Sequence, residues 1–391
     1  MSQQPFYNGS TDDFPSPVAP PLPNHTGQQQ VYSLPRQESA PIEDSTQKVA
    51  ALRKQGFSNG LVHAMTSNIR SFPLRIWVVD NSGSMQIADG HRIVGEKNNL
   101  KFIPSTRWDE IKDCVTYHAE MAGLLEAPTA FRMLNNPGAT VGPQQFGVAQ
   151  TGSDMISQDI GVVRNILYKA RPGGCTPLTA HLVEIRANVL GMANSLDAEG
   201  KKVAVIIATD GLPTDQNGYY GQNTRDEFVN ALRGLEGLPV WVVIRLCTDE
   251  DAVVEFYNEI DEQLELSIEV LDDFVGEAKE AYTYNRWLNY ALPLHRCREM
   301  GFHDRLFDLL DERSFTAGEV RDFCAMLFGC DNYEEMPDPA LDWEEFRNKL
   351  GRLVDAEELQ WNPIKKRTMP WVNLKELDKL FGKPCFSCTV S

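Results

Sequence analysis

The chain has 391 residues, with 37 basic and 55 acidic side chains for a net charge of −18, and 42% hydrophobic content. The acidic balance excludes a general nucleic-acid-binding surface, which needs clustered basic charge, and the length suffices for two compact units plus tails. No charged-then-apolar leader opens the sequence and no apolar run is long enough to span a bilayer, so the cysteines, scattered at 114, 175, 247, 297, 324, 330, 385 and 388, read as reduced thiols of a cytoplasmic protein.

Residues 1–45 are rich in Pro, Ser and Gln. Such a stretch buries too little apolar area to offset chain entropy and is expected to be disordered. Pro17-x-x-Pro20 and Pro20-x-x-Pro23 fit a left-handed polyproline ligand, with a solvated spacer as the preferred reading. Residues 46–70 look partly helical. The run Leu74-Arg75-Ile76-Trp77-Val78-Val79 is too short for a helix and rich in β-branched and aromatic residues, the pattern of a buried parallel strand.

Asp80-Asn81-Ser82-Gly83-Ser84 follows that strand directly, in what is expected to be a surface loop. One carboxylate and two hydroxyls therefore emerge at a strand's carboxyl end, where open α/β sheets bind ligands. Oxygen donors of this kind suit Mg²⁺ or Mn²⁺ better than any soft-ligand metal. The segment between Met85 and a helix starting near Trp108 carries His91, Arg92, Lys97, Lys101 and Arg107. It is longer than most connections and is expected as a loop on the rim of the site, either a basic approach for an acidic partner or an irregular lid without a ligand role.

A helix over 108–125 leads to strands over 129–135 and 144–149, which have no helix between them and so predict an antiparallel edge hairpin. Two helical segments follow. Between them lies Gly173-Gly174-Cys175-Thr176-Pro177, which offers a third hydroxyl ahead of the helix from Leu178 to Leu196. A strand over 203–208 ends in Thr209-Asp210-Gly211, a second carboxylate at a second strand end. Helices over 223–236 and 250–262 alternate with strands over 239–246 and 266–271. This alternation predicts an α/β fold, a doubly wound, mostly parallel sheet with helices on both faces. Thr248 and Asp251 read as a helix start rather than as ligands, and Asp249 stays outside the candidate set.

Asp80, Ser82 and Ser84, then Thr176, then Asp210 resemble, in order, the metal-ion-dependent adhesion site of the von Willebrand factor A (vWA) family. The resemblance covers 72–273. It implies a Rossmann-like vWA domain in which Ser82 and Ser84 bind the metal directly, Asp80 and Asp210 hold it directly or through water, and Thr176 enters or leaves the coordination shell with conformational state. It also implies an open position for an Asp or Glu of a protein partner. The plainer alternative is that these groups only cap helices and close turns.

Competing chemistries fit less well. Ser82 stands where an aspartyl-phosphate phosphatase needs a second Asp, neither Ser82 nor Ser84 has a Gly-x-Ser-x-Gly frame, and Gly173-Gly174 continues into Cys-Thr-Pro rather than Gly-Lys-Ser. His91, His118 and His181 pair with no nucleophile by spacing, so no catalytic constellation emerges.

From 274 to 384 the pattern turns helical. Thr316-x-x-Glu319 is a capping box, and helices are predicted near 287–299, 303–311, 342–354 and 372–381. An EF-hand beginning at Asp331 is excluded because Met336 stands where Gly is required and Asp342 where Glu closes the loop. The ending Cys388-Thr389-Val390-Ser391 resembles a prenylation box, with Cys385 available for palmitoylation and six basic against two acidic side chains over 361–391 facing a membrane surface. An ordinary exposed thiol is the alternative. The sequence thus predicts a cytoplasmic, non-enzymatic adaptor that takes an acidic partner through Mg²⁺ or Mn²⁺. A metal-dependent enzyme or enzyme-associated subunit, and an apo structural adaptor, are the rivals.

Overall fold

The computed structural model describes Tyr32, Leu34 and residues 46–248, 250–330 and 335–382, with only the backbone at 261 and 262. The polyproline motifs, Asp249, Cys385 and Cys388 lie outside the described residues. Tyr32, in the segment expected to be disordered, is buried, and its backbone N–H donates to Asn188 Oδ1 at 3.0 Å.

Two helices, α1 (Thr46–Lys54) and α2 (Asn59–Ser71), precede the central strand β1 (Leu74–Val79). A ribbon of β2 (Gly90–Glu96) and β3 (Asn99–Ser105) leads into α3 (Arg107–Leu125), β4 (Thr129–Met133) and β5 (Gln145–Val148). Then come α4 (Ile156–Lys169), α5 (Leu178–Ala198), β6 (Val203–Thr209) and α6 (Gln222–Arg233). The sheet is completed by β7 (Val240–Leu246), α7 (Asp251–Gln263) and β8 (Ile268–Leu271). The remainder is α8 (Phe274–Tyr284), α9 (Leu292–Glu299), α10 (Arg305–Asp308), α11 (Ala317–Phe328), α12 (Trp343–Ala356), the short strands β9 (Gln360–Asn362) and β10 (Arg367–Met369), and α13 (Leu374–Phe381).

The six-stranded sheet has the order β5-β4-β1-β6-β7-β8 and is parallel except at the expected edge hairpin, β4 with β5. Period-two alternation divides the side chains of the central strands between two cores. Ile76 and Val78, with Val205, Ile207, Val242 and Ile244, pack against α5, α6 and α7. Trp77, Val79, Ile206 and Val243 pack on the other face against α3 and α4. Because both faces are covered, these strands read as unbroken apolar runs.

The connection after β1 runs to β4 on one side, and β6, on the other side of β1, leads on to β7. The strand order therefore reverses between β1 and β6, and a crevice opens there at their carboxyl ends.

The segment expected as an irregular rim loop is instead the antiparallel ribbon β2–β3, paired from Gly90 with Ser105 to Glu96 with Asn99. Its backbone groups satisfy one another, so the length is accommodated without irregular chain. Arg92 pairs with Asp113 and Lys97 pairs with Glu358, so the expected basic rim is largely neutralised within the molecule.

The carboxyl-terminal helices do not form a core of their own. Leu61, Met65 and Ile69 of α2 share one with Leu294 and Cys297 of α9 and with Val320, Phe323 and Leu327 of α11. The Thr316–Glu319 capping box is formed, with both reciprocal bonds present. Helix α7 starts differently from expectation: its N-cap is Glu250 without a side-chain cap, and Thr248 Oγ1 accepts from the Glu250 N–H at 3.2 Å. The contact between α2 and α11 is close. A Cβ on Gly60 would lie 1.9 Å from Met326 O and 2.5 Å from Gly329 N, and Gly329 ends α11 at φ +76°. No helix among the described residues is long and apolar enough to cross a membrane.

Candidate metal centre

Strand β1 delivers Asp80 and strand β6 delivers Thr209 and Asp210 to the crevice between them. Asp80 was expected in a surface loop, but it is fully buried. Its backbone N–H still continues the β1–β6 ladder, donating to Ala208 O at 2.9 Å, and both its carboxylate oxygens are occupied. Oδ1 accepts from the Ser82 N–H at 2.7 Å, and Oδ2 accepts from Thr209 Oγ1 at 2.6 Å.

Past Ser82 the chain makes a short 3-10 turn, Gly83–Gln86, that aims the hydroxyls inward. Ser82 Oγ and Ser84 Oγ are 3.0 Å apart, and Ser84 Oγ donates to Asp210 Oδ1 at 2.9 Å. The loop before α5 closes over this turn. Gly83 N–H donates to Gly174 O at 3.1 Å and Gly173 N–H to Asn81 O at 2.8 Å. Gly174, at φ +90°, needs its missing side chain, since a Cβ would meet Asn135 Oδ1 at 2.7 Å.

Thr176 is held at the same crevice by reciprocal bonds with Thr214: its N–H donates to Thr214 Oγ1 and its carbonyl accepts from the Thr214 N–H, each at 2.9 Å. A Cβ on Gly211 would lie 4.0 Å from both Ser84 Oγ and Thr176 Oγ1, so the two hydroxyls face one small space. All five sequence-derived candidates are therefore brought together.

The electrostatics of this space favour a cation. Burial raises the Asp80 carboxyl to about 6, and the neighbouring Asp210 charge pushes it further in the same direction. Burial also raises Asp210, against the hydrogen bonds of Ser84 and Arg107. Two buried carboxylates and three hydroxyls, all hard oxygen donors, fit Mg²⁺ or Mn²⁺ in type and charge.

Sequence reasoning placed Arg107 on the rim among solvent-facing bases. It is buried in the wall of the site. Its guanidinium reaches Asp210 Oδ2 at 3.1 Å, both Asp89 oxygens at 2.6 and 2.7 Å, and Glu250 Oε1 at 2.7 Å. Asp89 is held below the usual carboxylate range by this contact. Thr209 and Asn135 were also missed. Asn135 Nδ2 donates to Cys175 O at 2.7 Å and its N–H to Asn81 Oδ1 at 2.7 Å, tying the loops after β1 and β4 to the Thr176 loop. A polar residue at or just beyond a strand end was the available signal for each: Thr209 closes β6, and Asn135 lies two residues past β4. Nothing in the local pattern marked Arg107, because a basic residue opening a helix ordinarily faces water.

No family model matches this chain and no curated protein matches it. Among solved structures, the PilB minor pilin from Streptococcus sanguinis is similar at 10% identity and a TM-score of 0.32, and a single-residue variant of that pilin at 10% and 0.34. The match covers 51% of this chain and 57% of either pilin chain, and a likeness of this degree carries no argument about fold or activity.

Proposed function

We propose that this chain is a non-enzymatic binding protein of the vWA type, with a doubly wound sheet. In this reading Asp80, Ser82, Ser84, Thr176 and Asp210 hold Mg²⁺ or Mn²⁺, and an acidic group of a protein partner is the ligand. One observation carries the reading: two buried carboxylates and two bridging hydroxyls converge across the β1–β6 seam, where the strand order reverses.

A bound ion would supply an electrophilic position for the partner's carboxylate. The chain's own residues set its character. Thr209 Oγ1 and the Ser82 N–H hold the Asp80 carboxylate in one orientation. Ser84 Oγ links Asp210 to Ser82, so a shift in either loop is felt by the other. Where Asp80 and Asp210 hold the ion through water, its direct protein donors are neutral hydroxyls and it keeps net positive character towards an outside anion.

Arg107 favours a second reading. Its guanidinium already gives Asp210 a fixed counter-charge, which suits an adaptor that works without an ion.

Melting the full chain in chelator and in Mg²⁺ separates the two. An ion that binds only the native state adds about 2.7 kcal/mol at a hundredfold excess over its Kd. The isosteric Asp80→Asn should fold and show no Mg²⁺ response. A native melting curve indifferent to millimolar Mg²⁺ and Mn²⁺ rejects the metal reading in favour of the apo adaptor. Capture of an Asp- or Glu-bearing partner in Mg²⁺ but not in chelator would support the first.

A further inference from the structure

Four metal-ligand side chains meet in the interior at the junction of α3 and α9, about two helical turns along α3 from Arg107. Cys114 and His118 lie one turn apart on α3, and His295 and Glu299 one turn apart on α9, so each pair shares a helix face. All four are buried. Glu299 is the meeting point. Its Oε1 lies 3.3 Å from Cys114 Sγ and 3.4 Å from His295 Nε2, and its Oε2 lies 2.9 Å from His118 Nε2. The ligand atoms of Cys114, His118 and Glu299 lie within 4.8 Å of one another, and His295 stands just outside that group, reaching it through Glu299 Oε1. Ligand-to-ligand separations around tetrahedral zinc, from its bond lengths to S, N and O, are about 3.3–3.8 Å.

We propose that Cys114, His118, His295 and Glu299 form a structural zinc site that clamps α9 to α3.

Three further observations support it. His295 Nε2 is a fully buried ring nitrogen with no aligned hydrogen-bond partner, and such atoms call for an explanation. Its other nitrogen, Nδ1, is 3.4 Å from Tyr290 Oη, the outer contact that fixes a ligating imidazole with Nε2 free. A cavity of about 30 Å³, room for one small occupant, lies beside the cluster; Cys114, His295 and Glu299 are in its lining with Arg92, Arg245 and Arg296, and His118 is not.

His118 and His295 would ligate as neutral imidazoles. Zinc binding then displaces one proton, from the Cys114 thiol to solvent, as the Zn–S bond forms. The resulting thiolate and the Glu299 carboxylate offset the two charges of the ion, with the Arg296 guanidinium as a further positive charge beside them. Arg296, 2.6 Å from Glu299 Oε2 and 3.8 Å from Cys114 Sγ, is placed to donate to both ligands. Arg245 is paired with Glu110 at 2.5 Å, and its Nε also lies 3.6 Å from Glu299 Oε1.

The alternative is a metal-free network in which Arg296, Arg245, His118 and His295 together answer Glu299. To separate them, the full chain without a polyhistidine tag is unfolded in chelator and refolded in Zn²⁺, in Co²⁺, or in chelator. The site predicts about one zinc per chain retained through dialysis. It also predicts a cobalt form with thiolate charge-transfer absorption, and a higher melting temperature than the chelator-refolded sample. Cys114→Ser and His295→Gln should lose zinc and the cobalt spectrum. Cys297→Ser, on the same helix but outside the cluster, and Asp80→Asn should keep both.

Failure of Cys114→Ser or His295→Gln to fold leaves the native-chain measurement decisive. A native chain that refolds fully in chelator and takes up no zinc overturns the proposal. Zinc retained equally by Cys114→Ser and His295→Gln overturns it as well, by placing the ion elsewhere.

Discussion

Arg107 and Asp210 form a buried ion pair inside the metal crevice: Arg107 Nη1 sits 3.1 Å from Asp210 Oδ2, while Asp210 Oδ1 accepts from Ser84 Oγ at 2.9 Å. One carboxylate is thus shared between a fixed organic cation and the hydroxyl network. The pair sets how strongly the crevice draws an inorganic ion.

Arg107→Gln should therefore have opposite effects in two buffers. In chelator the variant loses stability, on the order of 3 kcal/mol, because Asp210 is left buried without its counter-charge. In Mg²⁺ it should show a larger upward shift in melting temperature than the native chain, since the ion then meets an uncompensated carboxylate. Parallel melting curves check both arms. A Mg²⁺ response no larger than that of the native chain would mean that Arg107 does not compete for Asp210.

At the α2–α11 contact, Gly60→Ala should cost on the order of 3 kcal/mol or more, because the added carbon meets backbone, which cannot rotate away. Gly161→Ala, at a position with nothing within 4 Å of the added carbon, is the control and should be neutral or slightly stabilising. Denaturant titration of both variants gives the comparison.

His181 gives a pH dependence whose sign follows from its burial. Its Nε2 is bonded to Leu134 O at 3.0 Å, and burial lowers the ring from an ordinary 6.5 to about 4. Between those values the unfolded chain binds the proton and the folded chain does not. The stabilisation is therefore complete above about pH 6.5 and is lost as pH falls towards 4. Relative to His181→Gln, the native chain should lose about 3 kcal/mol across that window, because each tenfold change in proton affinity is worth about 1.4 kcal/mol. Denaturant midpoints of the two proteins measured from about pH 7.5 to 4 test this, and parallel pH curves would count against it.

Arg298 is buried among Glu269, Glu277 and Asp311, bonded to Glu269 Oε1 at 2.6 Å and Asp311 Oδ2 at 2.9 Å. Burial holds Glu269 up at about 7 in spite of this partner. Arg298→Met should cost about 3–5 kcal/mol by stranding the carboxyl groups. Adding Glu269→Gln and Glu277→Gln should restore much of that loss, because two of the three stranded carboxyl groups are then neutral. No recovery in the triple variant would show that the arginine acts through packing instead.

The parts of this molecule that were legible in its sequence are those where one physical rule dominates. Val203–Ala208 and Val240–Leu246 are covered on both faces, so burial alone writes their sequence as apolar runs. The five crevice residues follow strand ends or lead a helix, and their types and order could be read together.

The ribbon Gly90–Ser105 escaped because only Gly90 and Leu100 in its two strands are buried, so no period-two pattern is imprinted. Strands β9 and β10 are three residues each, too short to register a pattern at all. Helix α8 stands out by no apolar periodicity of its own, although Asp273 caps it by accepting from the Gly276 N–H at 2.6 Å. Cys114 and His118, and His295 and Glu299, are visible one helical turn apart in the sequence. Their meeting depends on how α9 docks on α3, which no local pattern records.

The Gly60–Gly329 contact also has a meaning for synthesis on the ribosome. Ser58 Oγ, which caps α2, donates to Leu327 O across 269 residues of chain. At translation rates of roughly 5–20 residues per second, α2 waits on the order of ten to fifty seconds for α11 to emerge. During that interval Leu61, Met65 and Ile69 have no native partner from that helix, and the nascent chain carries an exposed apolar stripe. Slowing translation upstream of Thr316, or withholding chaperones that shield such stripes, should therefore lower the yield of folded protein more than the same change made after Phe328.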